Sequence, residues 1–242
     1  VDFLETVAGR LLIDTPDADF VDNLPWVSED QGQTYYSDRT LALAILFDMC
    51  PNDDDTACVR LLADKNKIGV SYPCNAIWAM WALAKANRMD VILKDMRELW
   101  ATMPSVTINN TIQEFWQTEP DSWSQWSHCA VGPLIILYQG IAGIRPLKPG
   151  YEECMISPQL GDLTDVELEV QTPAGGIHFK TEGKYGKRTL FLDIPAGIKA
   201  VLNLDSRENV KLKPLISNDS VKGKKQYELI GGKTYKLNLK YM

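Results

Sequence analysis

Two stretches of the sequence crowd flat aromatic rings against carboxylates. The first holds Trp26, Glu29, Asp30, Tyr35, Tyr36 and Asp38, and the second holds Glu114, Trp116, Glu119, Asp121, Trp123 and Trp126. An indole covers the C–H face of a sugar ring, while a carboxylate accepts hydroxyl hydrogen bonds and can take a proton from water. The combination points to a carbohydrate ligand, with Trp26, Trp116 and Trp123 as binding surfaces. Packing is the competing role for each ring, and capping or solvation in a loop is the competing role for Glu29, Asp30, Asp38 and Asp121. Tyr35, Tyr36, Arg39 and His128 keep open a lyase-type elimination, with a Tyr or His base beside a cation that neutralises a uronate. A non-catalytic sugar-binding or interaction module is the third reading.

Other chemistries find no residues to carry them. Cys50, Cys58, Cys74, Cys129 and Cys154 are odd in number, widely spaced and without a Cys-x-x-Cys pair, so they read as small hydrophobes. His128 and His178 stand fifty residues apart, which excludes a compact zinc set. The acidic run Asn52-Asp53-Asp54-Asp55 is too short for a calcium loop and reads as a helix cap. Phosphate-cradling glycine loops, Gly-x-Ser-x-Gly elbows and His-Glu-x-x-His pairs do not occur, so no metal or cofactor is implied. With 25 Lys+Arg against 32 Asp+Glu the chain carries a net charge of −7. That balance argues against a nucleic-acid or anionic-membrane partner. The longest apolar stretch, around Val131 to Tyr138, is interrupted by Gly132 and Pro133 and is far short of the ~20 residues that span a bilayer. The sequence opens on Val1-Asp2-Phe3-Leu4-Glu5, with neither a starting Met nor a basic leader segment, so it reads as a piece of a longer protein, and the sequence leaves location open between cytoplasm and periplasm.

The elements that must position these residues fall into two regions. Up to Lys148 the chain has 11 basic and 20 acidic residues, a net of −9, and contains all seven tryptophans; beyond it 14 basic and 12 acidic residues give +2. Helices are expected at roughly 2–13, 38–49, 54–64, 74–87, 89–102 and 123–142, with Pro51, Pro73 and Pro104 between them. Trp78 and Trp81 are expected on one buried face, and at least one of Trp123 and Trp126 in the core. After Pro146-Leu147-Lys148-Pro149-Gly150 the apolar period changes to two: Val166, Leu168, Val170, and later Tyr235, Leu237, Leu239, Tyr241. Gly175-Gly176, Pro195-Ala196-Gly197 and Gly231-Gly232 mark reversals, and an antiparallel sandwich is the expected outcome. The expected units are a helical part over 1–146 and a β-sandwich over 150–242.

The runs Thr111-Ile112-Gln113-Glu114-Phe115-Trp116, Ser124-Gln125-Trp126-Ser127-His128 and Gly140-Ile141-Ala142-Gly143-Ile144 occur in that order. They are followed by Pro149-Gly150-Tyr151, Ile156-Ser157-Pro158, Thr172-Pro173-Ala174-Gly175 and Ile194-Pro195-Ala196-Gly197. Together they resemble the bacterial α-L-rhamnosidases, family 78 of the glycoside hydrolases. The resemblance implies the end of an (α/α)6 barrel followed by a C-terminal antiparallel β-sandwich, an α-then-β chain carrying part of the barrel. It implies that Glu114 is the general base of an inverting hydrolase, that His128 contacts the sugar and that Trp116 is the aromatic following the base. Ser127 replaces the family's usual Asn before the histidine, and Asn110 replaces a second Thr before the motif. The general acid of such enzymes lies upstream, so this chain is expected to be inactive without the missing N-terminal part. A rhamnoside is the implied substrate, and an exposed half-barrel edge gives a route to homo-oligomers.

Overall fold

The computed structural model describes residues 27–30, 33–50, 54–119, 121–211 and 224–241. The expected helix at 2–13 and Trp26 lie outside them. The described chain opens with an unexpected small sheet, β1 (Val27–Asp30), β2 (Gln33–Ser37) and β3 (Ile68–Gly69), in which β3 runs parallel to β2.

Four helices follow, α1 (Asp38–Leu46), α2 (Thr56–Ala63), α3 (Ile77–Lys85) and α4 (Met89–Asp95), the last prolonged by a wide π-type turn over Met96–Trp100. Asp54 accepts the Thr56 amide at 2.9 Å at the start of α2, and hydrogen bonding from Thr56 holds its pKa below the usual carboxylate value. Lys85, at the end of α3, donates to the carbonyls of Ile45 and Leu46 at 2.9 and 3.0 Å and so caps the C-terminus of α1. The buried residues of α3 are Ala79, Met80, Ala82, Leu83 and Ala84, three of them alanines. That arrangement overturns the expectation for the tryptophans: Trp78 is 37% exposed and stacks edge-on against a half-buried Trp81 at the margin of the core.

The long helix expected at 123–142 begins later. Trp123–Gln125 is a single tight turn, and α5 (Gly132–Ile136) starts with Pro133 in its first turn, where a missing N–H is harmless. It continues as a wide turn over Leu137–Ile141. Ile141 belongs to the helical core and Ala142 to the core of the sheets. Between Ala142 and Ile144, Gly143 has φ of 69°, and a Cβ there would lie 2.0 Å from the Ser157 carbonyl oxygen, so only glycine fits.

The remaining strands are β4 (Ile144–Pro146), β5 (Glu153–Ile156), β6 (Asp165–Thr172), β7 (Gly175–Lys184), β8 (Lys187–Ile194), β9 (Lys199–Asp205), β10 (Glu208–Asn209), β11 (Lys224–Ile230) and β12 (Lys233–Tyr241). They form a five-stranded sheet, β10-β12-β8-β7-β6, and a four-stranded one, β11-β9-β5-β4, around one shared core. All pairs are antiparallel except β5 with β9, which is parallel; the regular period of two carried no information on that crossover. Leu168, Val170, Leu237 and Leu239 point inward as their alternation requires. Pro195-Ala196-Gly197 and Gly231-Gly232 do reverse the chain, whereas Gly175-Gly176 already belong to β7 and the turn before them is Pro173-Ala174, with Thr172 Oγ1 bonded to the Gly175 carbonyl at 2.6 Å. Arg188 of β8 makes a bidentate pair with Glu208 of β10 at 2.9 and 2.7 Å, and both side chains are buried.

Cys50, Cys58 and Cys154 are buried thiols, and burial pushes Cys50 up to about 12 and Cys154 to about 11; Cys129 is exposed, contrary to its reading as a small hydrophobe. Among the described residues no helix is long and apolar enough to cross a membrane, and no three His, Cys, Asp or Glu side chains stand close enough to share a metal ion.

Candidate functional site

Glu114 lies on the stretch between a wide turn at Ser105–Asn109 and the tight turn at Trp123–Gln125. Asn110 ends the first turn with φ of 54°, a left-handed conformation that Asn adopts more readily than a β-branched threonine would. Two buried glutamines then fix the path of the chain. Gln113 accepts the Ser105 amide at 3.1 Å and donates to the carbonyls of Phe115 and Trp116 at 2.8 and 3.0 Å. Gln125 accepts from Asn109 Nδ2 at 2.6 Å through its side chain and from Thr111 Oγ1 at 2.9 Å through its carbonyl. Backbone bonds from Glu114 N to Ser124 O, 2.9 Å, and from Ser127 N to Ile112 O, 2.8 Å, lay the two segments side by side. Glu114, Trp123 and His128 therefore ride on one pair of adjacent segments.

The chemistry of these side chains differs. Glu114 is half-buried, and among the described residues its carboxylate has no hydrogen-bond or ion-pair partner, which leaves its oxygens available to a water. His128 is exposed. Trp123 is 76% exposed and meets Phe115 edge-on at 6.0 Å; Trp126 is 56% exposed. The expectation that one of the two is core fails because no helix starts there to turn either ring inward. Trp116 is half-buried, stacks edge-on against the buried Trp100 at 5.3 Å, and donates its indole N–H to the Ser71 carbonyl at 2.7 Å. Its N–H is thus already used, while the side chain borders a cavity of about 380 Å³ with Glu98, Met103, Pro104, Gln117 and Thr118.

Ser71 is itself held by a residue that the sequence reading assigned to capping or solvent. Asp38, 3% exposed, accepts the Ser71 amide and the Ser71 hydroxyl, both at 2.6 Å. The contacts run from the start of α1 through Ser71 to Trp116, two residues from Glu114. Asp38, Ser71, Gln113 and Gln125 were missed as supports of the site. No periodicity marks them: Gln113 lies inside the Thr-Ile-x-Glu-x-Trp run and Gln125 beside Trp126, whereas Asp38 stood out only as a carboxylate among aromatics and Ser71 not at all.

Over residues 143–215 the chain matches the family described as bacterial α-L-rhamnosidase C-terminal domain. The chain is similar to the C-terminal portion of these glycosidases. An α-L-rhamnosidase of Alteromonas sp. (strain LOR) is 28% identical over 177 residues, covering 65% of this chain and 18% of that protein. A Streptomyces avermitilis α-L-rhamnosidase, solved with L-rhamnose, superposes with a TM-score of 0.63 at 19% identity, covering 88% of this chain and 22% of that one. An Aspergillus terreus α-L-rhamnosidase gives 0.62 at 19% identity over 82% of this chain and 24% of its own. At such identities the superpositions speak for the fold, helices followed by sheets. The chain spans a quarter or less of the length of each of these rhamnosidases.

Proposed function

We propose that this chain is the C-terminal portion of an inverting glycoside hydrolase that releases terminal rhamnose, with Glu114 as the general base. The observation that carries the reading is the contrast within the 112–116 run: the buried Gln113 pins its backbone, while the neighbouring Glu114 carboxylate has no side-chain partner among the described residues. A general base must be rigidly placed and yet free to take a proton from water. His128 and Trp123 border the same pair of segments and are assigned to the sugar, Trp116 to one wall of the site, and Trp26, outside the described residues, to a further wall.

In this reading, residues 1–146 form part of an (α/α)6 barrel and 150–242 form a β-sandwich that braces it. An inverting enzyme needs a second carboxyl group about 6.5–9.5 Å from the base to protonate the leaving oxygen. The upstream part of the enzyme supplies that acid and the remaining helices. Leu43, Phe47 and Leu134, apolar and exposed on or beside the helices, are assigned to contact with that missing part. The isolated 242-residue chain is then inactive on aryl rhamnosides, and robust turnover by it alone would refute the scheme.

The decisive experiment uses the full-length enzyme. Glu114→Gln keeps the shape and removes the proton acceptor, so kcat falls by at least about 10²-fold while KM changes little. Added azide, a nucleophile that needs no deprotonation, restores turnover. Near-wild-type kcat in a folded Glu114→Gln enzyme removes Glu114 from the mechanism.

A further inference from the structure

The outer face of the five-stranded sheet is divided electrostatically. Toward β6 its charges are matched: Glu167 meets His178 at 3.1 Å and Lys180 at 3.3 Å, and Lys180 also reaches Glu182 at 3.1 Å. Toward β12 they are not. Lys184 of β7 stands opposite Lys187 of β8, and Lys187 stands opposite Lys240 of β12, so three exposed lysines occupy one register row across three strands. Their chain neighbours Arg188 and Leu239 are buried, and the alternation of the strands turns the lysines to the outer side. Like charges directly opposite each other, about 5 Å apart at Cβ, destabilise a sheet. Among the described residues none of the three has an ion-pair partner, so no carboxylate of the chain relieves that repulsion there. An anion from outside the chain would.

The row leads into a cavity of about 590 Å³ beside β12, lined by Lys211, Lys236, Lys240, Asn209 and Asn238, and no carboxylate lines it. Both amide oxygens are engaged, Asn209 Oδ1 by Lys225 Nζ at 2.8 Å and Asn238 Oδ1 by Thr189 Oγ1 at 3.2 Å, which leaves the NH2 groups as donors. Lys236 rests over the Phe191 ring, 5.1 Å from its centroid, so it loses less freedom on meeting an anion. Every side-chain group that the cavity presents to a polar ligand is thus a donor, and three of them are cations. The charges elsewhere choose among polyanions. Asp165, Glu167 and Glu169 are exposed across the same face, and the chain up to Lys148 carries a net of −9, so a densely charged nucleic acid or bilayer would be repelled on both sides. A polyuronate carries one carboxylate per sugar, separated by neutral hydroxyl groups. Neighbouring strands stand about 4.8 Å apart, close to the advance of such a chain per pyranose unit, so lysines of the row match carboxylates of neighbouring sugars.

We propose that the Lys184–Lys187–Lys240 row and the cavity beside it are a docking surface for an acidic polysaccharide of the polyuronate class. The row pairs with carboxylates, while Lys211, Lys236 and the amides of Asn209 and Asn238 take a further sugar in the cavity. None of these residues belongs to the Glu114 segments, and the surface is independent of the reading of Glu114 as a base.

The test titrates a fluorescein-labelled oligogalacturonate with the 242-residue chain and follows its anisotropy at low and at physiological salt. The expected result is saturable binding, weaker at the higher salt, displaced by unlabelled polygalacturonate and not by neutral dextran. Lys187→Gln combined with Lys240→Gln weakens it at least about 5-fold, on the scale of two exposed ion pairs. Arginine at both positions retains binding, and Lys180→Gln, in the matched half of the face, leaves it within about 2-fold. Removing two of three opposed charges keeps the thermal midpoint at or above that of the unaltered chain, which separates lost binding from lost folding. Should that midpoint fall, Lys184→Gln combined with Lys211→Gln carries the same expectation. The proposal is overturned if no saturable binding appears at low salt, if neutral dextran competes as well as polygalacturonate, or if dextran sulfate or single-stranded DNA binds more tightly at equal charge. It is equally overturned if neither pair of substitutions weakens binding, or if Lys180→Gln weakens it as much as they do.

Discussion

In β8, Leu190, Leu192 and Ile194 face the core at every second residue, with Leu192 opposite Phe179 and Leu190 opposite the buried Thr181 of β7. In the Glu114 stretch nothing repeats: a buried Gln113 sits between half-buried Ile112 and Glu114, and its amide rather than an apolar face holds the chain. Both regions are ordered, but the sheets spread their stabilisation over many interchangeable contacts whereas the Glu114 loops concentrate it in a few particular hydrogen bonds. Sheet positions should therefore yield large global losses of stability, and loop positions small global losses with large local ones.

The largest effect is expected where neither region has slack. Gly143→Ala places a Cβ against the Ser157 carbonyl in a left-handed backbone, and destabilisation of about 4 kcal/mol or more, read by urea unfolding, is the expected outcome. Tolerance of alanine there would show that the join between the regions yields. Next comes Glu208→Ala, which leaves the Arg188 guanidinium buried and unpaired at a cost of about 3–5 kcal/mol. Replacing both partners with apolar residues should recover most of that loss, and failure to recover would mean that the pair specifies the docking of β10. In the loops, Gln113→Ala is expected to cost about 1–3 kcal/mol. Hydrogen exchange would rise at Ser105 and along 112–116, with little change in the sheets; uniform loosening would erase the contrast between the regions. The smallest effect belongs to Trp123→Ala, within about 0.5 kcal/mol of wild type by thermal unfolding, because its ring is exposed. A larger loss would make that ring part of the packing rather than of a sugar surface.

The same contrast explains what could be read before any coordinates. Strands β6 and β12 followed from alternation alone, and α1 to α4 from apolar spacing and the prolines between them. The order of three short runs, from Thr111 to Ile144, and of the four that follow them related the chain to α-L-rhamnosidases. Failures cluster where local chemistry overrides period. The helix expected from residue 123 gives way to a turn organised by Gln125, Trp78 lies at the core margin because alanines fill the inner face of α3, and the parallel pairing of β5 with β9 depends on a crossover that no alternation encodes. Asp38 is the most instructive case. Its place at a helix start argued for a cap, yet its carboxylate reaches Ser71, thirty-three residues onward, a contact that only the tertiary fold can arrange.

Ile141 seals one interior and Ala142 opens the other, with not a single residue to spare between them. Two bodies joined so abruptly cannot swing on a tether. Adding one residue there would turn everything downstream by about 100° if the helical path continued. The sheets are consequently poor material for grafting onto a foreign scaffold by cutting at that point, and any exchange of parts between relatives would have to preserve the crossing from Leu137 to Ile144 intact.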